Sequence, residues 1–268
     1  PRRTWTVILM TDVVVGGATG RLGSIVCRLI SESDDLRLVG ATVSAGGGNV
    51  GKEMFGVRAV GPDGLAETLR DADVYVDLTT PDAAARTAAG IPETGTNLVL
   101  GTTSVPGEAL NLIASNTKRY GTSSLVTANF SMGVNVFWKA CEMLAGRLPG
   151  YDMEVIEVHH REKKDAPSGT AAEAVRRLRA ASGATDTVFG REGATGPRGR
   201  EIGVHSIRAG DIVGDHTVLF AKNSEVIELT HRAGSREALA LGCIGSIRWI
   251  SGKKDGRVHS MDEVLEIC

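Results

Sequence analysis

The sequence predicts an α/β protein: an N-terminal doubly wound parallel sheet, plus a smaller α+β domain with a mixed or antiparallel sheet. Three observations carry this. A β-branched run, Val13-Val14-Val15, enters glycines at 17, 20 and 23 and then a helical pattern from Ser24 to Ser31. Short apolar runs alternate with helical stretches as far as Thr127, as repeated βαβ units require. Later, Gly203–Ile207, Thr217–Ala221 and Glu225–Thr230 alternate apolar and polar positions without long helices between them, which suits a mixed sheet.

The first strand ends in Gly17-Ala18-Thr19-Gly20-Arg21-Leu22-Gly23, which has the form of a phosphate-binding turn. The first glycine permits the tight turn, the second lets a pyrophosphate approach the backbone, and the third allows close helix-to-strand packing; the helix start favours the anion. The spacing is G-x-x-G-x-x-G rather than G-x-G-x-x-G, so an ordinary βα turn stays open as the alternative. Leu36–Val43 is the second strand, and an acidic residue at its end would bind an adenosine ribose. Here Ser44-Ala45-Gly46-Gly47-Gly48 follows, without the carboxylate that repels a 2′-phosphate and without an arginine that attracts one. NADPH is accommodated and NADH stays open. Arg21 is the nearest candidate partner for the phosphate, a solvated helix-start charge being its other reading.

Val74–Leu78 is a short apolar strand, Pro81–Gly90 a helical stretch, and Asn97–Leu100 a strand ending in Gly101-Thr102-Thr103. Ligands of such sheets lie outside the carboxyl ends of the strands, which puts Thr79, Thr80 and Gly101–Thr103 within reach of a nicotinamide. Ser124–Thr127 then runs into Ala128-Asn129-Phe130, where Asn129 is either a carboxamide partner or a turn former. Met132, Phe137, Trp138 and Met143 fall along the next helix and are expected in the core.

The second concentration of chemistry is His159-His160-Arg161-Glu162-Lys163-Lys164-Asp165-Ala166-Pro167-Ser168-Gly169-Thr170-Ala171, at the end of the alternating strand Met153–Val158. Its cations and imidazoles suit an anionic substrate. Thr170–Ala181 reads as a helix, with Pro167 at its entry and Ser168 as N-cap, so Ser168, Gly169 and Thr170 offer backbone N–H groups to a carboxylate. A solvated loop with a capped helix behind it is the plainer alternative. Arg191–Arg200, glycine-rich and cationic, is expected as a mobile loop near the substrate.

Taken in order, GATGRLG, GTT, TANFSMGVN, VHHREKKDAPSGTA and the later IRAGDIVGDHT resemble the dihydrodipicolinate reductase family over nearly the whole chain. The chain keeps every fixed position of the HHxxKxDAPSGT block. The resemblance implies a Rossmann-like cofactor domain over residues 1–130, completed by 241–268. It further implies a substrate-binding and assembly domain over 131–240, in a homotetramer. Gly17, Gly20, Arg21 and Leu22 match the family's cofactor turn, with Ala18 and Thr19 between them and Ser44 replacing the missing acid. Gly101, Thr102 and Thr103, with Thr127, Ala128, Asn129 and Phe130, match its nicotinamide-side contacts. His159 matches the acid/base histidine and Lys163 the proton donor, while His160, Gly169 and Thr170 match the binders of the substrate carboxylates. The family's reaction is the NAD(P)H-dependent reduction of 4-hydroxy-tetrahydrodipicolinate in diaminopimelate and lysine synthesis.

The chemistry is coherent. Hydride added to an unsaturated ring must be followed by a proton from a positioned acid. Histidine titrates near neutrality, and a lysine among cations can have its proton affinity lowered; Asp165 reads as an anchor for the loop. A non-catalytic dinucleotide sensor would leave the His159/Lys163 pair unexplained, and a semialdehyde dehydrogenase would leave the DAPSGT block unexplained.

The remaining composition is bland. The chain has 268 residues, 42% hydrophobic and 23% charged, with a formal net charge of -2, which gives no general affinity for nucleic acid or an anionic membrane. No run approaches the roughly 20 apolar residues of a membrane span. Residues 1–10 are read as an extension or strand rather than a signal sequence. Cys27, Cys141, Cys243 and Cys268 show no paired spacing, so no metal site or disulfide framework is expected and a reducing cytoplasm fits. His205, His216, His231 and His259 are expected to be structural or solvated.

Overall fold

A computed structural model describes residues 10–267; the N-terminal extension and Cys268 lie outside the described residues. The chain divides into two compact units, one ending at Ser131 and resumed by Leu239–Glu266, the other Met132–Ala238.

In the first unit come β1 (Thr11–Gly16), α1 (Arg21–Ser31), β2 (Leu36–Thr42), β3 (Glu53–Met54), β4 (Val57–Val60), α2 (Leu65–Thr68) and β5 (Val74–Asp77). They are followed by α3 (Pro81–Thr87), β6 (Asn97–Leu100), α4 (Gly107–Tyr120) and β7 (Ser124–Val126). Among the described residues the sheet has eight strands in the order β13-β7-β6-β5-β1-β2-β4-β3, where β13 (Val258–His259) comes from the C-terminal segment. Every pairing is parallel except β3 with β4. Strands covered on both faces read as unbroken apolar runs, and β5 and β6 are buried at all their positions. The chain builds outward from β1 through β2 on one side and from β5 on the other, so the strand order reverses between β1 and β5. Ligands bind at such a switch point.

Helix α1 begins at Arg21, three residues before the predicted start, because Gly20 is extended and serves as its N-cap. Its buried stripe, Gly23, Val26, Cys27 and Ile30, follows the helical period and packs on Val13 and Val15. The predicted helix over 81–90 is α-helical only to Thr87 and continues as a 3₁₀ segment to Thr94, with Pro92 inside.

The second unit contains α5 (Met132–Arg147), β8 (Asp152–His159), α6 (Gly169–Ser182), β9 (Thr187–Phe189), β10 (Ile202–Arg208), β11 (Asp215–Lys222) and β12 (Glu225–Arg232). Its sheet order is β12-β11-β8-β10-β9: β8, β10 and β9 run parallel, β11 and β12 antiparallel. Val155, Val204, Val218 and Phe220 bury one face against Phe137, Trp138 and Leu178 of α5 and α6. The opposite face carries Ile207 and Val226, which are exposed. The chain then enters α7 (Glu237–Ile250), β13 and α8 (Met261–Val264).

Two core assignments fail on α5. Phe137 and Trp138 are buried, but Met132 and Met143 are 50% and 58% exposed. The helix buries Val134, Phe137, Trp138, Cys141 and Ala145, one stripe at helical spacing, which leaves Met132 and Met143 on the other side.

Candidate active site

Two regions hold the residues singled out in the sequence, one in each unit. The first surrounds the glycine turn. Gly17 has φ +78, and a Cβ there would sit 2.4 Å from the Leu78 carbonyl oxygen, so only glycine fits. A Cβ on Gly23 would lie 2.2 Å from the Gly17 oxygen, which is the close helix-to-strand approach expected of the third glycine. The N–H groups of Gly17 and Ala18 both donate to Thr42 O, at 3.0 and 3.2 Å, and Ala18 is buried. Gly20 offers α1 no side-chain cap, and no acidic residue occupies the first turn. The start of α1 thus presents donors and a positive dipole end without a competing carboxylate. Arg21 is exposed and its guanidinium makes no hydrogen bond or ion pair among the described residues; Leu22 is partly buried against the core.

A cavity of about 320 Å³ opens there, lined by Gly17, Thr19, Gly20, Ser44, Thr79 and Thr80 among others. Ser44 caps a 3₁₀ turn over Ala45–Gly47 and is exposed. The glycine-walled edge and the uncapped start of α1 beside this cavity have the form of a site that could take a dinucleotide phosphate.

The strand ends beside this cavity are braced by a carboxylate that the sequence reading passed over. Asp77 is fully buried, and its Oδ1 accepts from Thr79 N at 3.1 Å, Thr79 Oγ1 at 2.7 Å and Thr102 Oγ1 at 2.6 Å. It joins the loop after β5 to the loop after β6. A Cβ on Gly101 would collide with the Phe130 ring at 2.2 Å, so that glycine admits the ring. Phe130 is only 2% exposed and belongs to the core, leaving its backbone for any ligand. Asn129 shows the turn-forming use: its Oδ1 accepts from Ser131 N at 2.8 Å, while Thr127 Oγ1 donates to Asn129 O and accepts from Asn129 N. Thr103 is exposed next to Thr102, and Ala128 is exposed beside Asn129.

The second region is at the end of β8. Inward positions along β8 are Met153, Val155, Glu157 and His159, so the strand's alternation sends a carboxylate and an imidazole into the interior. The Glu157 side chain is fully buried and His159 is 8% exposed. Glu157 Oε2 takes His159 Nδ1 at 2.5 Å and Arg208 Nη1 at 2.9 Å; Oε1 takes Arg208 Nη2 at 2.8 Å and the Ser168 N–H at 3.2 Å. Arg208 arrives because its strand position on β10 is paired with His159 on β8. It also donates to the Asp165 carbonyl at 2.6 Å, tying the loop down. A Cβ on Gly214 would come within 2.9 Å of His159 Nε2, so glycine makes room for the ring.

Burial raises the Glu157 carboxyl, but hydrogen bonds from Arg208, Ser206 and His159 outweigh it and hold the group below the usual carboxylate range. Burial lowers the pKa of His159; Glu157 opposes this, and the charges of Lys163 and Arg208 reinforce it, so the net shift is downward. Lys163 Nζ binds both oxygens of Asp165 at 2.9 Å, which makes Asp165 the anchor the sequence suggested and the local counter-charge of that lysine.

Ser168 is buried and its polar atoms are engaged. Its Oγ accepts from Ala171 N at 3.2 Å, capping α6, and lies 3.1 Å from His216 Nε2. What it offers a ligand is the capped helix start, where Gly169 is exposed and Thr170 partly so. His160 is half-buried, its carbonyl accepting from Lys163 N at 3.1 Å. His216 stacks edge-on against His159 with ring centroids 5.1 Å apart, and burial pushes its pKa down to about 4.

In the loop around Arg191–Arg200, two of the three arginines are already paired. Arg191 binds Glu154 and Glu201, and Arg198 binds Glu154 and Asp152. Glu154 precedes His159 by five residues on the same strand, roughly 16 Å along it. Of the cations in the loop expected to be mobile near the substrate, Arg191 and Arg198 are therefore tied to β8.

No group of three metal-ligating side chains is assembled among the described residues, and no described helix is long and apolar enough to cross a membrane.

The comparisons bear on both regions. Family models described as "Dihydrodipicolinate reductase, N-terminus" and "Dihydrodipicolinate reductase, C-terminus" match residues 11–130 and 133–265. A 4-hydroxy-tetrahydrodipicolinate reductase of Methanothermobacter thermautotrophicus is 43% identical, covering 96% of this chain and 100% of the relative. One from Methanosarcina mazei is 41% identical over 96% of this chain and 99% of its own. In fold, the chain resembles the dipicolinate-bound dihydrodipicolinate reductase from Paenisporosarcina sp. TG-14 with a TM-score of 0.79, at 23% identity and covering 94% and 98% of the two chains. With both halves matched by the paired models and with full-length relatives above 40% identity, this chain belongs to the dihydrodipicolinate reductase family.

Proposed function

We propose that this protein reduces 4-hydroxy-tetrahydrodipicolinate to tetrahydrodipicolinate in the pathway to diaminopimelate and lysine: the 4-hydroxyl leaves as water, and the unsaturated ring so formed takes a hydride from NAD(P)H and a proton. The observation that carries this is the loop after β8. It holds His159, Lys163 and the capped start of α6 together in a chain whose full-length relatives bear that enzyme's name. When bound in the cavity beside Gly17, the nicotinamide cofactor supplies the hydride. The residues of this chain do the rest. The backbone N–H groups at the capped start of α6, at Gly169 and Thr170, receive one substrate carboxylate, and His160 and Lys163 hold the other. The Lys163 ammonium protonates the reduced ring, exchanging its Asp165 contact for substrate. His159 presents Nε2 to the substrate as the second member of the acid/base pair.

Arg21, exposed and unpaired among the described residues, supports a place for the 2′-phosphate of NADPH, while the absence of a carboxylate at Ser44 admits either dinucleotide. The uncovered sheet face bearing Ile207 and Val226 supports a homotetramer, and Cys27, Cys141 and Cys243, free and buried, suit a reducing cytoplasm.

The test follows NADPH and NADH oxidation with the product of dihydrodipicolinate synthase as substrate. Oxidation with at least one nucleotide is expected, and none with either sinks the assignment. The ratio of the two catalytic efficiencies decides the preferred cofactor, and light scattering on the purified protein decides the tetramer.

A further inference from the structure

We infer that Glu157 is the positioning residue of the site: it fixes the His159 imidazole as its Nδ1–H tautomer, with Nε2 turned toward substrate, and fastens the start of α6 to the same carboxylate. This rests on the acid/base role proposed for His159 and goes beyond it by naming what prepares that ring.

A carboxylate with no exposure is strongly unfavourable unless every oxygen is paired. Glu157 meets that condition with donors from three places. Arg208 of β10 binds it through both Nη atoms, His159 of its own strand donates Nδ1–H, and the Ser168 backbone N–H reaches it from the helix entry. Because a carboxylate only accepts, the imidazole nitrogen facing it must carry hydrogen. The second nitrogen, Nε2, is then the one that gives or takes a proton, and the glycine at 214 leaves it space. Arg208 neutralises the carboxylate, so Glu157 stays ionised without making His159 permanently cationic.

The groups facing His159 are Glu157 on β8, Arg208 on β10, Lys163 on the loop and His216 on β11. Two cations and burial oppose its protonation, and one anion favours it. A substrate carrying two carboxylates reverses that balance, so substrate binding brings proton uptake at Nε2, with Glu157 holding the opposite nitrogen in place.

The ¹⁵N resonances of the His159 ring in the wild-type protein provide a test independent of turnover. At neutral pH Nδ1 is expected to be protonated and Nε2 bare; a ring protonated at Nε2 alone overturns the inference. Glu157→Gln provides the kinetic test. It is expected to lower kcat by on the order of 10- to 100-fold, as loss of a supporting partner does elsewhere. Nucleotide affinity should stay unchanged, and the pH profile of kcat/KM should move its His159 limb to lower pH, since the anion that favours the charged ring is gone. Glu157→Asp, which keeps the charge, should return that limb toward its wild-type position. An unmoved limb in a folded Glu157→Gln protein overturns the proposal. If Glu157→Gln does not fold, the wild-type resonances and the Glu157→Asp profile still decide it. Absence of wild-type turnover would sink the proposed reaction while leaving the tautomer measurement able to fail or stand by itself.

Discussion

The glycine turn and the loop after β8, the two regions proposed to receive anions, are built by opposite means. At the turn, the site is made by removing side chains: Gly17 and Gly23 let backbone approach backbone, and Gly20 leaves the helix start uncapped. After β8 it is made by bracing side chains against one another, with Glu157, Arg208, His159 and Ser168 sharing one buried carboxylate. A backbone site tolerates few substitutions and has little to titrate. In the proposed reaction the braced site carries the chemistry, and with it the sensitivity to pH.

The largest effect that would sharpen this contrast is expected from Lys163→Ala, which removes the proposed proton donor. Turnover should fall by roughly 10²- to 10⁴-fold, with nucleotide affinity unchanged because the glycine turn uses none of these side chains. An equal loss of nucleotide binding, read by fluorescence titration, would break the comparison.

Stability should depend on pH through the braced region. His216 has its pKa lowered from 6.5 to about 4 by burial, chiefly, so in the window between those values the unfolded chain takes up a proton that the folded chain refuses. Stability is therefore whole above about 6.5 and declines as pH falls toward 4, by about 3 kcal/mol for this one group. His159 and His231, also shifted down, act in the same direction. Melting temperatures of the wild type and His216→Asn across this window measure the slope; an equal slope in both would assign the pH dependence elsewhere.

The smallest effect is expected at the turn. Gly23→Ala places a methyl against the Gly17 oxygen and should cost about 1–3 kcal/mol by overpacking, with weaker nucleotide binding and unaltered kcat at saturation. Unchanged nucleotide affinity would mean that the turn holds no phosphate.

How much of this was legible depended on chain distance. The α/β class, the strands β1, β2, β5, β6 and β8, the Ser168 cap and the glycine turn are all contiguous patterns, and the folded chain shows each of them, whereas β3, β4, β9 and the long helix α4 were not read from the sequence. Glu157 gave a signal that was readable but unused: it shares parity with Met153, Val155 and His159 on an alternating strand, so it had to point inward. Arg208 and His216 gave none, since their nearness to His159 follows from β10 pairing parallel and β11 antiparallel to β8. Arg191 and Arg198 misled, because a cationic, glycine-rich stretch reads the same whether its charges are free or bound to Glu154. Met132 and Met143 misled because apolar residues on a helix do not say which stripe faces the sheet.

By itself, then, the sequence carried the local grammar of this protein: its longer strands, the glycine turn after β1, the capped start of α6, and which loop carries the imidazoles and cations. These follow from backbone conformation and nearest-neighbour hydrogen bonding, which act within a few residues. Only the tertiary structure decided which charges meet. Sheet register alone carries Arg208, 51 residues from Glu157, to the carboxylate that aligns His159, and burial there makes that meeting strong enough to set the ring's tautomer.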